Sequence, residues 1–327
     1  MPVLIVLIIL ALIFNFLNGF HDSSNIVATI ISSRALQPRA ALALTAISEF
    51  MGPLIFGVAV AKTIGEGLIP PSEVTNAVIL ATLIASILWN LVTWYLGIPS
   101  SSSHALVGGL IGAISVGAGL ETVQWGGLIK VLLGLFISPV LGLIAGFLIT
   151  RLTLFLARNS RPSINIFFKR AQILTGVALG LSHGANDAQK TMGIITLGLV
   201  VNQAIPAFEV PMWVILISSS AMALGIASGG WRLIRTLGNK FYKIRPVHGF
   251  CTQIASAGVI LGAGLLGGPV STTQVVSSAI LGVGSAERVN KVRWNVAFNI
   301  AIAWLVTIPA SALVSALLYL LLRNWVR

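Results

Sequence analysis

Acid is scarce in this chain. Eight aspartates and glutamates stand against twenty lysines and arginines in 327 residues, and charged residues of both signs reach only 9%. A soluble domain carries about 25% charged residues, so a water-soluble fold is excluded. Cysteine is almost missing: Cys251 stands alone, which rules out a disulfide framework and a thiolate metal site. No hydrophilic stretch is long enough for a soluble domain. The excess of base, +12, does not indicate nucleic-acid binding, because stacking aromatics are not interleaved with it. Most Lys and Arg cluster in short loops, where they set topology and meet anionic lipid headgroups.

Apolar residues fill the space: 56% of the chain is hydrophobic and its mean hydropathy is +0.97. The 33 glycines suit tightly packed or broken transmembrane helices. Apolar segments fall at roughly 2–31, 40–60, 77–97, 101–118 and 128–157, and again at roughly 171–201, 212–230, 249–267, 271–284 and 294–322. Most reach the ~20 residues that cross a bilayer. Pro2–Leu17 has no basic region before it and no small-residue cleavage site after it, so it reads as a first membrane segment rather than a signal peptide. The first segment of each set is longer than one span and is expected to break at a polar motif. The fourth is short and starts at a polar cluster.

The expected fold is therefore an all-α polytopic membrane protein. It comprises a first repeat over 1–150, a basic cytoplasmic linker over 151–170 and a second repeat over 171–327. Each repeat has about five membrane segments, with broken helices or re-entrant hairpins giving ten to twelve helical spans. An odd number of segments per repeat inverts the second repeat relative to the first. Loop charges agree with this arrangement. The linker carries Arg151, Arg158, Arg161, Lys169 and Arg170 and is cytoplasmic by the positive-inside rule. Counting outward, three groups fall inside: Arg34/Arg39, the loop 231–248 (Arg232, Arg235, Lys240, Lys243, Arg245), and Arg288/Lys291/Arg293. The loops with Glu66/Glu73, Glu121 and Glu209 fall outside, as do both termini. The setting is the plasma membrane.

The two aspartates, Asp22 and Asp187, lie inside apolar stretches at equivalent places in the two halves, in Asn18-Gly-Phe-His-Asp-Ser-Ser-Asn25 and His183-Gly-Ala-Asn-Asp-Ala-Gln-Lys190. An acid at membrane depth costs about 2.5–3.5 kcal/mol on insertion scales, and such residues mark pathways for charged substrates. Each follows a glycine where a helix can unwind. Carboxylate oxygens, freed carbonyls and the amides of Asn18, Asn25 or Asn186 make a hard-cation site, with sodium at Asp22, Asn25 and Asp187. Alternatively the carboxylates carry protons, or they merely cap half-helices. Lys190 stands where the other repeat has Asn25, three residues after its aspartate. That spacing neutralises Asp187 and puts a fixed ammonium where the other half holds a mobile cation; the plainer reading is a lysine reaching to the surface. Glu49, beside Gly52-Pro53, is a third membrane acid suited to a proton or cation role, although its counterpart region Ser218–Ser220 lacks an acid.

Two hydroxyl clusters follow prolines: Pro99-Ser-Ser101-Ser102-Ser103-His104 and Pro269-Val-Ser271-Thr272-Thr273-Gln274. Each proline breaks a helix, and the hydroxyls cap the next one. A helix start is an anion site. Two starts facing each other near the midplane surround an anion with N–H and hydroxyl donors, without an arginine. Ordinary capping and helix-to-helix hydrogen bonding are the alternatives. His104 either donates to the substrate, carries a proton or simply bonds its neighbours, and the same holds for His21 and His183. Asn90 and Gln253 read as links between helices. A phosphate-like oxyanion beside two carboxylates is prohibitively costly to desolvate unless cations come with it, so coupled uptake with H⁺ or Na⁺ follows.

At these residues the chain resembles the inorganic phosphate transporter (PiT) family of cation-coupled symporters. Gly19–Asn25, Ser182–Asp187, Pro269–Thr273 and Pro99–His104 carry the resemblance, which covers both halves. It implies an inverted-repeat, dimeric fold, phosphate at Ser101, Ser102, Ser103, His104, Ser271, Thr272 and Thr273, and coupling cations near Asp22 and Asp187. It departs from the family pattern at His21, Gln189-Lys190 and Gln274, where the family usually has His. Lys190 argues against a sodium-type site there and favours proton coupling. The expectation is a phosphate symporter that is not an enzyme and has no cofactor besides its coupling ion. The alternatives are a transporter of sulfate or another oxyanion, and an intramembrane aspartyl protease using Asp22 and Asp187, whose Gly-x-Gly-Asp signature is absent.

Overall fold

A computed structural model describes residues 2–231, 234 and 244–326. Arg232, Arg235, Lys240 and Lys243, expected in a cytoplasmic loop, lie outside the described residues.

The long apolar runs fold as helices because lipid offers no partner for backbone N–H and C=O groups. Eleven α-helices and no strand occur among the described residues: α1 Pro2–Ser32, α2 Pro38–Phe56, α3 Ala59–Gly65, α4 Asn76–Leu96, α5 Ser102–Gly117, α6 Trp125–Leu156, α7 Ile164–Val201, α8 Met212–Ser228, α9 Pro246–Leu265, α10 Thr272–Glu287 and α11 Trp294–Leu322. Six are long and apolar enough to cross a membrane: α1, α2, α4, α6, α9 and α11. The chain is a multi-pass membrane protein. Its lipid face is clearest on α6 and α11, where Leu133, Val140, Leu148, Phe298, Leu305 and Leu313 are exposed.

Helix ends follow the local sequence. Pro38 and Pro246 open α2 and α9 at the first turn, where a missing N–H costs nothing. Gly97, at φ 67°, closes α4 in the left-handed conformation that a side chain disfavours. The connection between α6 and α7 is shorter than the basic linker suggested. Only residues 157–163 are non-helical, Arg151 lies in α6, and Lys169 and Arg170 lie in α7.

Element order repeats in the two halves. Each ends in a short helix, a single 3₁₀ turn (Leu120–Thr122, Val289–Lys291) and a long helix containing a proline (Pro139, Pro309). The halves interleave rather than fold apart. Helix α1 packs on α8 and α2 on α7; α5 packs on α11 and α10 on α6. Glycines permit these contacts. A Cβ on Gly108 or Gly112 of α5 would overlap the backbone of Ile308 or Ala312, and one on Gly142 or Gly146 of α6 would overlap Val275 or Ala279. Both are small-xxx-small faces, one on α5 and one on α6.

The expected break at the aspartates does not occur. Both α1 and α7 run as continuous helices through Asp22 and Asp187. Gly19 and Gly184 serve close approach instead: a Cβ there would meet the carbonyls of Met222 on α8 and Glu49 on α2. The irregular backbone lies elsewhere, at Gly57-Val58 between α2 and α3 and in the turns before α5 and α10.

Candidate functional site

The middles of α1 and α7 meet the first turns of α5 and α10, and α2 closes one side. The helix starts are capped as their sequences require. Ser101 Oγ accepts from His104 N (3.1 Å) and Ser271 Oγ from Gln274 N (3.4 Å). This leaves Ser102, Ser103, Thr272 and Thr273 turned to other partners. The two starts touch: Ser103 Oγ donates to the Val270 carbonyl (3.2 Å), and Gln274 Nε2 lies 3.2 Å from His104 Nδ1. Their turns are tied down by side chains. Asn186 Oδ1 accepts from Val270 N (3.2 Å), its Nδ2 donates to Gly268 O (3.1 Å), and Trp304 donates to Pro99 O (3.0 Å). Non-helical backbone is tolerated at membrane depth on these terms.

The aspartates converge on α10. Thr273 Oγ1 donates to Asp22 Oδ1 (2.8 Å); Thr272 Oγ1 lies 2.7 Å from Asp187 Oδ2 and 3.5 Å from Asp22 Oδ2. Asn25 Nδ2 donates to Asp22 Oδ1 (2.8 Å) and Thr273 Oγ1 (3.0 Å). Lys190 donates to Asp187, to Ser103 Oγ (2.6 Å) and to Val270 O (2.9 Å). The lysine is 1% exposed, so it does not reach for the surface. Ser102 donates to Asn18 Oδ1 (2.5 Å).

Glu49 joins through a residue that sequence reasoning left undecided. His183 Nδ1 stands 2.7 Å from Glu49 Oε1, and its Nε2 stands 3.5 Å from Asp187 Oδ2 and 3.7 Å from Asp22 Oδ2. His21 Nδ1 lies 3.5 Å from Asp22 Oδ1. The imidazole thus sits among three carboxylates drawn from three helices. Only its place one turn before Asp187 hinted at this. Gln189 was also missed: it accepts from Val60 N (2.7 Å) and donates to Gly57 O (2.5 Å), satisfying the break between α2 and α3. Gln253 does link helices as expected, donating to Thr29 (3.2 Å) and accepting from Thr175.

Every residue expected at the site is found in this one cluster or on the caps beside it, and all are nearly inaccessible to solvent. One ligand atom each from Asp22, His183 and Asp187 lie within 4.8 Å of one another. Asn25 Oδ1 is a buried acceptor with no hydrogen-bond partner among the described residues. The donor set therefore suits a hard cation beside Asp22. Hydroxyls of Ser103, Thr272 and Thr273 come together at the first turns of α5 and α10, and a helix start of this kind suits an anion.

Comparison with known proteins bears on this geometry. Residues 18–315 match the model of the phosphate transporter family. The chain is 45% identical over 320 residues to a Rhizobium meliloti protein described as a "probable low-affinity inorganic phosphate transporter", covering 97% of this chain and 96% of that one. It is 44% identical over 323 residues to a Bacillus subtilis protein of the same description, covering 98% and 97%. Among solved structures it resembles one titled "The sodium-dependent phosphate transporter", with a TM-score of 0.90, 28% identity and full coverage of both chains. These relatives are transporters, so the aspartyl protease reading of Asp22 and Asp187 is set aside. With both halves and the polar cluster between them inside the match, the chain belongs to the phosphate transporter family.

Proposed function

We propose that the protein is a secondary symporter that carries inorganic phosphate across the plasma membrane together with protons. The observation that carries this is the meeting of two hydroxyl-lined helix starts with two aspartates from α1 and α7. Phosphate takes donors from Ser102, Ser103, Thr272, Thr273 and the first-turn N–H groups, whose partial positive charge suits an anion. It must then lie beside Asp22 and Asp187. Leaving that negative charge unpaired in a dry site is prohibitive, so phosphate and cation are loaded together. Asp22 has amide and hydroxyl partners but no ammonium, and takes the coupling cation. Asp187 already holds Lys190, which favours a proton over a second bound metal ion. Phosphate rather than sulfate is the substrate because phosphate keeps a proton that a carboxylate can accept as a hydrogen bond.

A sodium ion at Asp22 and Asn25 is the second reading. The unpartnered Asn25 Oδ1 and the sodium dependence named for the similar solved structure favour it. The two halves are read as inverted repeats, with both termini outside, in a homodimer contacting anionic lipid.

Uptake of labelled phosphate into proteoliposomes, with pH and sodium gradients imposed separately and sulfate as competitor, tests the assignment. A pH gradient alone should drive accumulation. Accumulation driven by sodium without a pH gradient would replace the proton by the second reading, and competition by sulfate at equal concentration would remove phosphate as the specific substrate. Asp22→Asn and Asp187→Asn should each abolish accumulation.

A further inference from the structure

Asn25 and Lys190 hold the same place in the two halves. Each stands three residues after its aspartate and reaches across to the second hydroxyl of the opposite helix start. Asn25 donates to Asp22 Oδ1 (2.8 Å) and to Thr273 Oγ1 (3.0 Å) on α10. Lys190 donates to Asp187 and to Ser103 Oγ (2.6 Å) on α5. Thr273 and Ser103 are themselves equivalent, two residues after the caps Ser271 and Ser101. The hydrogen-bond pattern is thus duplicated, but the chemistry at its centre is not.

The difference is one charge. The Asn25 amide leaves its Oδ1 buried and unpartnered among the described residues, an acceptor pointing to a positive guest. The Lys190 ammonium has three N–H groups and no acceptor, and three partners are present: Asp187, Ser103 and the Val270 carbonyl. Among the described residues it is the one lysine or arginine that is buried. Burying an ammonium is costly even when it is paired, and here a carboxylate, a hydroxyl and a carbonyl are all committed to holding it. Around it stand Asp187 and, beyond Thr272, Asp22; His183, Glu49, His21 beside Asp22, and His104 on the start of α5 are the other titratable groups facing the cluster.

We propose that Lys190 is a tethered counter-ion: it permanently supplies, in the second half of the site, the positive charge that the first half takes from solution. The chain then couples each phosphate to one fewer external cation than a site with an amide in both halves. This rests on the symport reading above and deepens it by fixing where the coupling charge resides.

The test uses the full chain in proteoliposomes, comparing native protein with Lys190→Asn, which makes the two halves alike. Labelled phosphate uptake is followed while sodium is titrated at fixed pH and pH is varied without sodium, and the charge moved per phosphate is read from the reversal potential. Lys190→Asn should gain sodium stimulation, a steeper cation dependence and one additional inward charge per phosphate. Transport by Lys190→Asn with the native cation dependence and native charge per phosphate would overturn the proposal. Should that variant fail to insert, the reciprocal Asn25→Lys carries the test: with an ammonium in both halves, uptake should lose its remaining cation dependence, and persistence of that dependence counts against the tethered charge. The native protein offers a further check, because a cation dependence showing two cooperative external cations would also overturn it. Absence of phosphate uptake by native protein would instead sink the symport reading itself.

Discussion

At the scale of the residue, His183 holds the cluster together. Its ring contacts Glu49 at 2.7 Å and approaches both aspartates. Removing one partner of a buried charged pair leaves the other uncompensated, at about 3–5 kcal/mol. His183→Ala should therefore lower the thermal unfolding temperature in detergent far more than removal of an exposed ion-pair member such as Lys62, which pairs with Glu66 at the surface. Equal shifts for the two variants would show that the histidine is not carrying Glu49. Thr272 has a different weight. Its hydroxyl lies between the two aspartates and, in the proposed site, is offered to the anion. Thr272→Ala should raise the half-saturating phosphate concentration about tenfold, the equivalent of ~1.4 kcal/mol, with the purified protein still monodisperse. Unchanged affinity would place phosphate elsewhere.

At the scale of the element, glycine decides how near the site helices come. A Cβ on Gly184 would collide with the Glu49 carbonyl, whereas one on Gly258 of α9 would meet nothing within 4 Å. Overpacking costs about 1–3 kcal/mol, while replacing an unconstrained helical glycine by alanine gains roughly 0.8–1.0 kcal/mol. Gly184→Ala should therefore destabilise the protein and reduce uptake, and Gly258→Ala should stabilise it slightly. Thermal unfolding of the pair in one detergent decides this, and two shifts of the same sign would refute it. Here the sequence misled: glycine next to a membrane aspartate suggests an unwound helix. In the fold, the carboxylates draw their donors from α10, Asn25 and Lys190, so no backbone needs to be freed, and an intact helix keeps its own N–H and C=O groups satisfied.

At the scale of the whole molecule, the exposed apolar bands of α6 and α11 and the basic ends of α6 and α7 set the orientation. In the orientation proposed above, which follows the positive-inside rule, residues 157–163 lie in the cytoplasm and both termini outside. In a Cys251→Ser background, cysteines placed at Pro2 and Trp325 should react with an impermeant thiol reagent added to intact cells, and one at Arg158 only after lysis. Labelling of Arg158→Cys in intact cells would reverse the topology.

Much of this could be read in the residues. Apolar length specified a helical membrane protein, because a bilayer admits few other ways to bury a backbone. The matching Asp motifs and hydroxyl clusters marked the side chains that meet in one buried polar cluster, because charge buried among apolar residues is too costly to keep without partners. The tertiary structure alone decided who meets whom. That His183 would gather Glu49 with both aspartates, and that Asn25 and Lys190 would reach the opposite helix start, depends on how α2 packs on α7 and how α5 and α10 meet. Close approach at Gly52, Gly180 and Gly184 sets the first packing, and glycine contacts of α5 with α11 and of α6 with α10 carry the two helix starts to each other; spacing along one chain cannot report a distance between two helices.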